Sequence, residues 1–197
     1  MTDLPGSLLI ETPSVNRPND LGQSAPRAYA PGITWSSDVP SAFGFHRLYG
    51  FQDNGAWFNK PMIGLGQASG TMTLSFAAPV AGVGGFFNYA QSLGAPIGDA
   101  PTIAIYDAAH HLLDSTVLNF DTGRADLSGY FFGFDVGNAL ISSFEMSGAY
   151  IGMSDLRVLA ADTTPAQVPE PATLVLAGGA LMVMRGMSRR QRRLPNA

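Results

Sequence analysis

The chain contains no cysteine. That single absence excludes disulfides, thiolate metal sites and cysteine nucleophiles together. It leaves export open, since surface proteins often manage without disulfides. Charge is also scarce, with Asp, Glu, Lys and Arg making up 13% of the residues and lysine especially rare. Before Ala172, no stretch keeps an apolar period of 3.6 residues over three turns, so no amphipathic helix is expected there. There is no G-x-S-x-G elbow, no Walker loop and no dinucleotide fingerprint. Gly64-Leu65-Gly66 and Gly82-Val83-Gly84-Gly85 are glycine-rich. Neither is followed by the helix and lysine of a phosphate loop, and both read as strand kinks.

What the chain does have is glycine (23), proline (14) and phenylalanine (12). Its apolar runs are short and bounded by turn formers, the pattern of many short strands. The clearest is Thr71-Met72-Thr73-Leu74-Ser75-Phe76. Met72, Leu74 and Phe76 alternate with hydroxyl residues, which predicts one buried face and one wet face. Ala77-Ala78-Pro79 is expected to end it. Further strands are expected within Val80–Tyr89, Pro101–Asp107, Leu112–Phe120, Tyr130–Phe134, Leu140–Met146 and Tyr150–Leu159. Residues 11–40 give a weaker signal, with short strands expected near Ile33–Trp35 and Phe43–Tyr49. Strands about ten residues apart with turns between them predict a mainly β, two-sheet antiparallel sandwich over residues 1–160. Residues 161–168 read as a polar linker.

The tail is different. Pro169-Glu170-Pro171 precedes an uncharged apolar run, Ala172–Met184, and then Arg185, Arg189, Arg190, Arg192 and Arg193. As a helix at ~1.5 Å per residue, the run covers about 20 Å, short of a ~30 Å hydrocarbon core. Carrying it on to Met187 takes in Arg185, whose stem snorkels to the interface, and gives a marginal span. The arginines then lie on the cytoplasmic side and residues 1–171 outside. Both prolines keep the junction extended. Charge supports the division. All fifteen acids lie at or before Glu170, and only six of the eleven basic residues do, which leaves residues 1–171 at −9. So acidic a body argues against nucleic-acid binding.

Tripeptide, apolar segment and arginine cluster in this order resemble the PEP-CTERM sorting signal of Gram-negative bacteria. The resemblance implies an exosortase partner, transit through the bacterial inner membrane, and processing near Pro169, Glu170 and Pro171 before delivery to the cell surface or extracellular matrix. Residues 72–159 are similar to the exported sandwich that often precedes such a signal. The similarity is carried by Phe76-Ala77-Ala78-Pro79-Val80, Ile103-Ala104-Ile105-Tyr106-Asp107, Gly133-Phe134 and Ile151–Val158. It implies a jelly-roll-like shape. An exported chain needs a leader, whereas Met1–Gly6 has neither a basic region nor a long apolar one. A segment upstream of Met1 is therefore expected.

Nothing in the body points to catalysis. Asp107, Asp114, Asp121 and Asp135 fall at turns or strand ends, where they bond local amides. His110-His111 lies in an expected hairpin turn and reads as polar turn residues, because a metal site wants ligands from separate strands. No cofactor is expected beyond a structural calcium held by carboxylates and carbonyls, with Asp155 and Asp53 as its ligands. The expected role is a non-enzymatic surface or matrix protein. A second reading is a glycan-binding module for extracellular polysaccharide, with Trp57 and Tyr49 as its aromatic platform. A third is a glycoside-acting enzyme on the same scaffold, which would need two carboxylates facing across a cleft.

Overall fold

A computed structural model describes residues 3–14, 21–45, 54–122 and 130–160. The chain divides into two compact units, Met1–Asp162 and Thr163–Ala197, and the described residues all belong to the first. The apolar span and arginine cluster expected at 172–193 lie outside them. Among the described residues, no helix is long and apolar enough to cross a membrane.

Among its described residues the first unit is mainly β, and all its strand pairs are antiparallel. In chain order its strands are β1 (Leu8–Ile10), β2 (Leu21–Gln23), β3 (Arg27–Ala30), β4 (Ile33–Ser37) and β5 (Ser41–Phe45). Next come β6 (Met62–Leu65), β7 (Thr71–Val80), β8 (Gly82–Asn88), β9 (Gln91–Ser92) and β10 (Ala95–Pro96). The last five are β11 (Thr102–Tyr106), β12 (Leu112–Val117), β13 (Tyr130–Asp135), β14 (Ile141–Ser147) and β15 (Gly152–Leu159). One sheet has the order β13-β8-β15-β6-β5-β2, with β1 added beside β15. The other has the order β12-β11-β14-β7-β4-β3. β12 and β13, β14 and β15, β6 and β7, β4 and β5, and β2 and β3 each take corresponding places in the two orders. The two members of each of these pairs thus lie in opposite sheets, as in a sandwich.

Period-2 alternation builds the core. Met72, Leu74, Ile103, Ile105, Phe144 and Met146 turn inward from the second sheet and are fully buried. Ile63, Leu65, Val83, Phe87 and Met153 meet them from the first. Phe144 takes Phe87 and Phe134 edge-on at 6.1 and 6.3 Å between centroids, and Trp35 packs on Phe43 at 5.1 Å. Each such side chain stabilises by about 1.5–3 kcal/mol through burial, before the entropy of ordering is set against it.

Two expectations need correction. β7 does not stop at Phe76 but continues to Val80. Its pairing with β14 shifts register between Ile141 and Ser143, so Pro79 sits in an irregular stretch where a missing N–H breaks no ladder. Gly64 is no kink either. It lies opposite Gly152 in the β6–β15 pair. A Cβ on Gly152 would meet Trp57 Cζ2 at 2.9 Å, so the missing side chain makes room for an indole.

Candidate functional site

That indole belongs to residues 54–60, which pack on the outer face of the first sheet over β5, β6 and the start of β15. Trp57 is 1% exposed and clusters with Ala42, Phe45 and Met62. Its Nε1 donates to Asn54 Oδ1 at 3.1 Å, and Asn54 Nδ2 donates to the Tyr150 carbonyl at 3.0 Å. This corrects the expected glycan platform: Trp57 seals a core and offers no ring to solvent. Tyr49, its expected neighbour on the platform, lies outside the described residues.

The calcium expectation fares no better at Asp155. The residue sits at φ 53° where β15 passes from pairing with β6 to pairing with β1. Its carboxylate is paired with the Lys60 ammonium. A calcium site needs several oxygens, and a bound cation already compensates this one. Among the described residues, no three His, Cys, Asp or Glu come close enough to hold a metal. Asp53 lies outside them, as do Pro169, Glu170, Pro171 and the five tail arginines.

The open surface is the outer face of the second sheet. Strand register aligns its residues into rungs. One rung runs Thr34, Ser75, Ser143, Tyr106. The next runs Ser36, Thr73, Glu145, Ala104, Ser115. The third runs Thr71, Ser147, Thr102, Val117. Of all these only Ala104 is buried. Alternation explains the face, because Thr34, Thr73 and Ser75 each stand between two core residues along their strands. Strand spacing of about 4.8 Å makes the five strands roughly 20 Å across.

Three functional groups gather at one end of this face. Tyr106 and Glu145 lie on adjacent rungs of the β11–β14 pair. Burial, then the charge of Glu145, raises the Tyr106 pKa above the ordinary phenol value. His110 stacks on Tyr106, with centroids 4.3 Å apart and planes at 17°. Its Nε2 lies 3.9 Å from Glu145 Oε1. The His110 side chain is 67% exposed, so the ring face away from Tyr106 is open.

The turn between β11 and β12 aims this histidine. Asp107 Oδ1 accepts from the Ala109 and His111 amides at 2.9 and 2.8 Å, and its Oδ2 lies 3.1 Å from His111 Nδ1. The His111 amide bond is the main reason the Asp107 pKa is lowered from the usual carboxylate value. His110 takes φ 59°, a left-handed conformation that histidine tolerates better than most residues. The turn expected at His110-His111 is therefore present, but its use in holding a ring against Tyr106 was not foreseen. Glu145 is 35 residues further on in sequence, and only the β11–β14 pairing brings it close. The alternating hydroxyls of β7 and β14 were the one available signal of the face.

Residues 167–193 match the family model of the PEP-CTERM protein-sorting motif. The chain carries a PEP-CTERM sorting signal. Exosortase is the enzyme this signal implies. No curated protein matches the chain. Among solved structures it is similar to a Streptococcus pneumoniae fucose binding module, SpX-3, at 12% identity and a TM-score of 0.40, over 64% of this chain and 92% of that one. It is also similar to a mutant of the lectin binding domain of Lectinolysin complexed with Lewis b, at 8% identity and a TM-score of 0.37, over 76% of this chain and 99% of that one.

Proposed function

We propose that this chain is a non-enzymatic surface or extracellular-matrix protein, anchored briefly in the inner membrane and released by exosortase. The observation that carries the reading is the sorting-motif match at 167–193. Pro169-Glu170-Pro171 is the recognition element, held extended by its two prolines. Residues 172–187 form a short membrane helix, and the five arginines after Met184 fix its orientation. The body is a jelly-roll-like sandwich whose work begins after release. Its open hydroxyl face favours a binding role over a catalytic one.

The test replaces Pro169, Glu170 and Pro171 together with alanine, in a host that has exosortase. The body's melting temperature stays unchanged, because the tripeptide lies beyond the last strand. Uncleaved protein accumulates in the inner membrane. Normal C-terminal cleavage of the triple variant, read by intact mass of the surface fraction, would refute the assignment.

A further inference from the structure

We infer that the outer face of the second sheet binds an uncharged polysaccharide, with the open ring of His110, the carboxylate of Glu145 and the rungs of Ser and Thr hydroxyls as its contacts. The inference gives a ligand to the surface-protein reading and rests on that reading only for its setting, since its test does not use the tail.

The chemistry of the face selects the class. Serine and threonine hydroxyls both donate and accept, as sugar hydroxyls do. A carboxylate accepts from two such hydroxyls in charge-assisted bonds. Glu145 is the only charge on the three rungs. It lies 3.9 Å from His110 Nε2 and has lone pairs for a ligand. An exposed aromatic face beside polar groups suits the apolar C–H face of a sugar ring. Threonine is stiff at χ1, so Thr73, Thr71 and Thr34 hold their hydroxyls in place before a ligand arrives and little entropy is lost on binding. The length of about 20 Å fits several sugar rings in a row.

Other classes fit less well. A protein partner would want buried apolar anchors at the centre of the patch. Here the large apolar residues, Leu112 and Val117, are confined to the edge strand β12. Nucleic acid needs cations, and the rungs carry none. An anionic polysaccharide would be repelled by Glu145 and by a body at −9.

The experiment is affinity electrophoresis of the full chain, kept soluble in a detergent without a sugar headgroup. Gels contain dextran, a mixed-linkage β-glucan or a galactomannan as neutral polymers, and polygalacturonate as the anionic one. The expected result is retardation by at least one neutral polymer and none by polygalacturonate. His110→Gly removes the ring and relieves the positive φ, so the turn is kept. Glu145→Gln keeps the shape of the side chain. Each weakens the apparent affinity about tenfold or more while the melting temperature is held. Thr73→Val, which keeps strand preference and removes one hydroxyl, costs a few-fold. Retardation by none of the neutral polymers would overturn the inference. So would retardation by polygalacturonate alone, or equal retardation of wild type, His110→Gly and Glu145→Gln. In each case cleavage at the tripeptide can still proceed, so the sorting assignment stands or falls separately.

Discussion

The two sheets of this sandwich share a core but treat their outer faces in opposite ways. The first sheet is covered by residues 54–60, with Trp57 laid over Gly152 and held by Asn54. Beneath that cover β5 and β6 are buried on both sides and have no exposed residue, whereas β13 and β1 keep exposed residues. On the outer face of the second sheet every rung residue but Ala104 is part-exposed or exposed, and β7 from Thr71 to Phe76 alternates between core and that face. A strand buried on both faces need not alternate, whereas a strand with one wet face must. The covered face acts as a second small core, and the bare face is free to recognise a ligand.

The largest effect that would test this contrast is Trp57→Ala. Losing a buried indole should cost on the order of 3–5 kcal/mol, read from urea unfolding monitored by far-UV dichroism. A loss below about 1 kcal/mol would mean that the cover is dispensable and the two faces are alike. Gly152→Ala probes the same contact from below. The added methyl meets the indole, so overpacking of about 1–3 kcal/mol is expected in the same assay. A neutral result would show that Trp57 can lift away freely.

A smaller effect is expected at the sandwich edge. Tyr29 is buried and shares a 2.9 Å hydrogen bond with Thr12. Burial raises its pKa above the ordinary phenol value, with the Thr12 bond opposing and the Asp155 charge adding to the rise. A raised folded pKa stabilises fully below the unfolded value of about 10 and is lost as pH climbs through the folded one. Wild-type stability should therefore fall more steeply above about pH 10 than that of Tyr29→Phe, which at neutral pH loses about 1 kcal/mol. Parallel alkaline limbs for the two proteins would show that Tyr29 does not titrate against folding.

The smallest effect is predicted on the bare face. Thr73→Ala and Ser143→Ala should each change stability by no more than about 0.5 kcal/mol, because both are part-exposed and stand outside the core. A loss above 2 kcal/mol at either position would mean that the face is covered in the folded protein, and would remove the ground for a ligand there.

Most strands of both sheets were legible: β4, β7, β11, β12 and β14 of the second and β8, β13 and β15 of the first fall within or close to their expected spans. The shortest strands were not. β6, Met62-Ile63-Gly64-Leu65, reads as a short glycine-broken run and was missed, as were the short strands β2 and β3 and the β9–β10 hairpin. Trp57 was misjudged for the same reason. Its neighbours in sequence look like a loop, and only its landing on Gly152, 95 residues later, buries it. Glu145 was passed over because a lone acid in a strand looks solvated until Tyr106 and His110 are seen beside it.

The sequence by itself determined the sorting signal, because a tripeptide, an apolar run and an arginine cluster act through their linear order and need no partner from elsewhere in the chain. It also determined the β class and the hydroxyl side of the second sheet, since alternation is local. Tertiary structure alone decided which outer face is covered and which groups meet on the open one. Those outcomes depend on contacts between residues 35 to 95 positions apart, whose pairing is set by the whole sandwich and by no local pattern.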